Sequence, residues 1–233
     1  MIYYKAIRPD GTSFHDPDFR WLPEDGKIPE GGWLVKHPNP SSGMEDASEY
    51  LSVSSKPADC IGFSWPCRLL EVEAVGEVTS PKPRFLPNKH AGKAFRVVRE
   101  ADPNLALGPN GARVAALIDR ASRLTSGEMQ RMESALDAAE GAALDAAGDA
   151  AEDAALARAR FSALDAARHA ATWSAARAAQ AARRGTWGAV RVAARNAVFA
   201  EVVSELIPPA DYNTLTAVWR AGVGDDWTES KEN

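Results

Sequence analysis

From residue 110 to residue 207 the chain contains no proline, although it has fifteen in all. The strongest helix breaker is therefore missing from a long continuous stretch. Cysteine is scarce: Cys60 and Cys67, in 60-CIGFSWPC-67, form no CxxC pair of the redox or metal-binding kind. No apolar run approaches the ~18 residues of a membrane span, and no N-terminal h-region is present. A glycine-rich phosphate loop, an HExxH pair and a nucleophile elbow are all lacking. The formal net charge of −5 argues against non-specific binding to nucleic acid or to anionic membranes. These absences lead to the expectation of a cytoplasmic protein with reduced thiols, no membrane segment and no cofactor.

What is present divides into two halves. Ahead of the proline-free block lie short runs rich in β-branched and aromatic residues: 2-IYYKAI-7, 33-WLVK-36, 50-YLSVS-54, 69-LLEVEAV-75 and 94-AFRVVR-99. Turn chemistry separates them, including 9-PDG-11, 25-DG-26, 31-GG-32 and 38-PNPSSG-43. The pattern predicts an α+β chain: a small strand-rich domain over 1–105, an alanine-rich helical hairpin or bundle over 106–224, and a polar tail over 225–233.

In the second half, Val114, Leu117, Ile118, Ala121 and Leu124 share a helical face. Then 125-TSGE-128 has the form of a capping box, with Thr125 as N-cap and Glu128 reaching back. After Pro208-Pro209, Asp211 is expected to cap a last helix, with Tyr212, Leu215, Val218 and Trp219 on one face and Gly222 and Gly224 ending it. Between these lies 135-ALDAAEGAALDAAGDAAEDAALARA-159, with an Ala-Ala pair at every fourth residue. Four residues advance a helix by 400°, so each pair lies about 40° further round than the last. No single straight partner could follow such a stripe. The helix must either pack on several neighbours or break, and Gly141, Gly148, Gly185 and Gly188 are candidate weak points. A break is expected near 155–163 or 183–188.

Charge is segregated along this block. Residues 128–153 carry eight carboxylates against Arg131, whereas 158–195 carry eight arginines against Asp165. An acidic helix antiparallel to a basic one would neutralise both; a single long helix with acids first would suit its own dipole. Trp173 and Trp187, two heptads apart near one face, are either core or an exposed anchor for a partner. The same alternatives apply to Phe14, Phe19 and Trp21 in the loop 12-TSFHDPDFRWLPEDG-26.

Candidate chemistry is sparse. Cys60, Cys67, His37 and His90 match no common zinc spacing, so two buried thiols and no metal are expected. One arrangement in the first half resembles the ADP-ribosyltransferase layout: Arg8 after the first strand, the aromatic-Ser-x-Ser strand 50-YLSVSS-55 with Ser52 and Ser54, then the carboxylates Glu71 and Glu73. The resemblance implies that the Arg and Ser hold NAD and that a Glu stabilises the ribosyl cation. In that family the Glu-x-Glu motif falls on a later strand, where this chain offers only Glu100. The alternative for Glu71 and Glu73 is the solvated face of a strand with Leu70, Val72 and Ala74 inward.

Across 4-YKAIRPDGTSFHDPDFRW-21, 66-PCRLLEVEAVGEV-78, the alanine block and 211-DYNTLTAVWRAGVG-224, the chain resembles a group of uncharacterised alanine-rich proteins of actinobacterial phages. The first two segments also resemble a domain of unknown function found more widely in phages and bacteria. No activity comes with the resemblance. It implies a phage accessory protein in the host cytoplasm that acts by contact with a host or phage protein, including a host enzyme or defence system. An NAD-dependent ADP-ribosyltransferase-like enzyme and a self-associating virion or assembly component are the alternatives.

Overall fold

In the computed structural model of the chain, residues 1–39, 47–81, 86, 88–139, 141–157, 161–181 and 187–224 are described. They form an α+β protein with strands first, divided by contact into two units, Met1–Ala106 and Leu107–Asn233.

The first unit is a seven-stranded antiparallel sheet. Its strands are β1 (Ile2–Ile7), β2 (Trp33–Lys36), β3 (Leu51–Ser54), β4 (Arg68–Ala74), β5 (Val78–Thr79), β6 (Lys89–Gly92) and β7 (Ala94–Ala101). Their order is β2-β7-β4-β1-β3-β6-β5, which places the first strand near the middle. Register fixes the faces, because successive side chains alternate. Tyr3 lies opposite Val72 and Lys5 opposite Leu70, so these four share a face. That face carries Tyr3, Ile7, Leu70, Val72, Phe95 and Val97, and the loop residues Trp21 and Leu22 close over it as one apolar core. Tyr4 lies opposite Glu71 and Ser54 on the other face. A bulge between Glu71 and Val72 skips Val98, which is left exposed.

The second unit contains α1 (Gly111–Ala121), α2 (Ser126–Ala138), α3 (Gly141–Ala157), α4 (Phe161–Ala181), α5 (Trp187–Val202) and α6 (Pro209–Val223). The face predicted for α1 is buried at all five positions, although Leu124 lies beyond the helix end. The capping box is formed: the Glu128 amide donates to Thr125 Oγ1 at 3.3 Å, and the Thr125 amide donates to Glu128 Oε2 at 2.7 Å.

Asp211 does not cap α6. The helix begins two residues earlier at Pro209, where proline's fixed φ suits a first turn, and Asp211 lies inside that turn. Gly224 ends the helix with φ 90°, but Gly222 lies within it. A Cβ there would overlap Met132, so this glycine permits close approach of α6 to α2.

The period-four block is divided between the end of α2 and α3. In α3 the buried positions among those described are Leu144, Ala147 and Ala151, a stripe spanning two turns before the helix ends at Ala157. Gly148 lies inside this helix without breaking it. Gly185 and most of the expected breaks, at 158–160 and 182–186, lie outside the described residues.

The expected pairing of an acidic with a basic helix is not the main contact. The arginine-bearing α4 and α5 pack chiefly on each other, while α3 packs on α6 and, to a similar extent, on α4 and α5 together. The Arg168 guanidinium lies over the Phe199 ring at 5.9 Å, each residue about equally far from the five-residue connection, so α4 and α5 run antiparallel. Alanines 167, 171 and 175 of α4 and 193, 194 and 197 of α5 are fully buried. Such small side chains let the helix axes approach closely, a larger gain than exposed ion pairs provide. Asp145, Asp149 and Glu152 do face Arg195 and Asn196, across an open groove of about 510 Å³.

Candidate functional site

The loop after β1 is built to fold back over the sheet. Asp10 Oδ1 accepts from the Thr12 amide at 2.9 Å and from its hydroxyl at 2.7 Å, forming an Asx turn. The Arg8 amide then donates to Thr12 O, the Ser13 amide to Phe19 O, and the Trp21 amide to Gly11 O. Arg20 ties the base of this hairpin-like loop through Asp10 O at 2.9 Å. The result sets Ser13, His15, Asp16, Phe19 and Trp21 over the inner face of β1.

Beneath the loop is a cavity of about 410 Å³, within the range of small-molecule sites. Its walls mix apolar groups (Phe19, Trp21, Pro38, Tyr50 and Leu51) with Lys5, Lys89, His15, Asp16, His37 and serine hydroxyls. Lys5 is only 7% exposed, and period two in β1 places it inward between Tyr3 and Ile7. Its ammonium lies 5.2 Å from the centre of the Trp21 ring. Among the described residues it donates no hydrogen bond and has no carboxylate partner. Burial pulls its pKa from 10.5 down to about 8; Cys60 acts the other way, and the neighbouring Lys89 adds to the fall. Burial pushes the Cys60 thiol up to about 12, so at neutral pH it is uncharged and supplies no counter-ion.

The histidines differ. His37 is buried and fixed, with Nε2 at 3.0 Å from Ser48 O and Nδ1 at 2.9 Å from Asn39 O. His15 stands at the mouth, its pKa lowered first by partial burial and then by Lys5 and Lys89, so that its ring is neutral at pH 7. It seats on Gly62, which has φ 66°; a Cβ there would overlap the imidazole.

The residues singled out from sequence are not gathered together. The Arg8 guanidinium covers the Phe14 ring at 5.9 Å and lines none of the described cavities. Ser52 reaches the Lys5 cavity, whereas the buried Ser54 hydroxyl donates to Asn88 O at 3.1 Å. Glu71 receives a bidentate pair from Arg99 at 2.7 and 3.0 Å, and Glu100 is paired with Arg68. Glu73 and Glu100 line a separate open depression with Arg68, Arg96 and Arg99. No described cavity contains Arg8, a serine and a carboxylate of this set.

Trp21, expected as a partner anchor or a tucked-in aromatic, is 1% exposed and packs on Phe95 and Phe19. It is a wall of the cavity and not an exposed anchor. Phe14 and Phe19 are half-buried, and Trp173 is 58% exposed beside His169 on α4. The Trp187 side chain lies outside the described residues. Cys60 and Cys67 are buried and unbridged, and no group of three or more metal-ligating side chains occurs among the described residues. No described helix is long and apolar enough to cross a membrane. Comparison with family models, curated proteins and solved structures gave no match.

Proposed function

We propose that the strand-rich unit is a recognition module for a small organic anion with an apolar body. The observation that carries this reading is Lys5: a buried ammonium lining a cavity with no acceptor of its own among the described residues. A buried charge without a counter-ion is costly, and a carboxylate or phosphate entering the cavity would remove that cost. Lys89 adds a second positive group, and Phe19 and Leu51 offer apolar surface. Calorimetry of the full chain with 3-phenyllactate, and with benzyl alcohol as an uncharged control, tests it. Saturable binding of the anion alone, weakened at least tenfold in Lys5→Met, is the expected result. Absence of saturable binding by phenyllactate would remove the proposal.

A second reading, contact with a protein partner in the setting of a phage-infected cell, is favoured by the exposed Trp173. It sits on the solvent side of α4 with His169 against its ring. Such aromatics are enriched among binding hot spots. Capture of one stoichiometric protein from an actinobacterial lysate, lost in Trp173→Ser, would support it; capture unaffected by that change would not.

A further inference from the structure

We infer that Lys5 is a nucleophilic amine that forms an imine with the carbonyl of a 2-oxo acid seated in this cavity. The inference rests on the anion-binding reading and goes further, because it assigns a covalent step and a ligand class.

Three placements support it. Lys5 reaches the cavity from the centre of a rigid sheet, without a carboxylate to hold its proton. Lys89, on β6, lines the same space and can take the carboxylate of the ligand, leaving the adjacent carbonyl for Lys5. Phe19 and Leu51 accommodate an apolar side chain. Lysines become nucleophiles when desolvated or set beside another cation, and Lys5 meets both conditions. The titratable and charged groups around it are Lys89, Cys60 and Asp59 beyond β3, His15 and Asp16 at the mouth, His37, and the tyrosines Tyr50 and Tyr4. With a pKa of about 8, roughly one chain in ten holds a neutral amine at pH 7, against fewer than one in a thousand for an ordinary lysine.

The step balances without an oxidant. The neutral Nζ attacks the carbonyl carbon, a C–N bond forms, and the oxygen takes up a proton to give a carbinolamine. Loss of a second proton from nitrogen and departure of the oxygen as water leave C=N. The His15 ring, uncharged at the mouth, can relay the proton between nitrogen and oxygen.

The test is reductive trapping on the full chain. Protein at pH 7.5 is incubated with phenylpyruvate and cyanoborohydride, and the adduct is located by peptide mass mapping. One adduct per chain at Lys5, formed at least tenfold faster than at any exposed lysine and slowed by phenyllactate, is expected. Its rate should level off above about pH 8, while labelling of exposed lysines continues to climb. Labelling spread over exposed lysines with Lys5 untouched overturns the inference. If phenyllactate binds in calorimetry but Lys5 is not trapped, the imine fails and the anion site stands; if neither ligand engages, both fall. Lys5→Arg, which keeps the charge, should bind phenyllactate and form no adduct. Should that variant not fold, mapping on the unmodified chain still decides.

Discussion

The two units solve the packing problem with opposite materials. The sheet unit uses few, bulky side chains: Trp21, Phe95, Tyr3 and Leu22 meet over one face, and their irregular shapes leave a cavity beside them. The helical unit uses many small ones, with alanines of α4 and α5 brought into contact and Val198, Phe199, Val202 and Leu215 setting the register. Large aromatic groups leave gaps between them that polar side chains can line. Alanine packing gives up that possibility for close helix axes, and its interior polar groups are few.

This contrast can be broken most forcefully at Phe199, which is 1% exposed with the Arg168 and Arg195 guanidinium groups over its ring. Phe199→Ala should destabilise the helical unit by about 3–5 kcal/mol, read from urea unfolding. Amide exchange in β1 and β4 should be unchanged if the sheet unit holds by itself.

Lys5 gives the next largest effect. Between its folded pKa of about 8 and the ordinary 10.5, the unfolded chain binds a proton that the folded one lacks. Stability of the sheet unit therefore rises as pH climbs through 8, and the full shift corresponds to ~3 kcal/mol. Cys60 and Cys67, raised from 9.0 to about 12, act in the opposite sense above pH 9. The rise is consequently confined to about pH 8–9. Lys5→Met should abolish it and stabilise the unit at pH 7, and a wild-type slope surviving in the variant would refute the assignment.

Ala194→Leu sharpens the argument about small side chains. Ala194 is fully buried, and added bulk there should cost about 1–3 kcal/mol, whereas Ala143→Leu on the exposed side of α3 should be close to neutral. Equal effects at both sites would mean that close packing is not what selects alanine.

The smallest effect concerns Glu201. It is completely buried, accepts from the Tyr212 hydroxyl at 2.5 Å and from Arg113 at 3.1 Å, and has one oxygen without a hydrogen bond among the described residues. Burial raises its pKa, opposed by Tyr212 and Arg113. The folded chain thus holds a proton that the unfolded chain has lost just above pH 4.5, so stability of the helical unit falls as pH rises through that window. Glu201→Gln should flatten this dependence, measured by thermal unfolding between pH 4.5 and 7.

Much of the architecture was legible because local patterns were strong. The runs at 2–7, 33–36, 50–54, 69–75 and 94–99 each hold all or most of a strand, and Thr125 with Glu128 made the capping box. β5 and β6 escaped notice because 78-VT-79 is two residues long and 89-KHAG-92 has no apolar alternation. Strand order was not legible, since it depends on long-range pairing. The pocket was missed for a different reason. In 2-IYYKAI-7, period two places Lys5 on the same side as Tyr3 and Ile7, and a cation flanked by core residues is a sign that the amino-acid pattern itself carries. The serines of β3 and the carboxylates of β4 and β7 form the more conspicuous motif, but Ser54, Glu71 and Glu100 are already occupied by Asn88, Arg99 and Arg68.

The position of β1 also carries a consequence for synthesis of the chain. Its neighbours are β3 and β4, and β4 in turn needs β7, which ends at Ala101. During synthesis β1 must wait for roughly a hundred further residues before its sheet is complete, since pairing between distant segments is slow to form. During that interval Lys5 is an ordinary solvated lysine, and it acquires its unusual surroundings only when the whole unit closes.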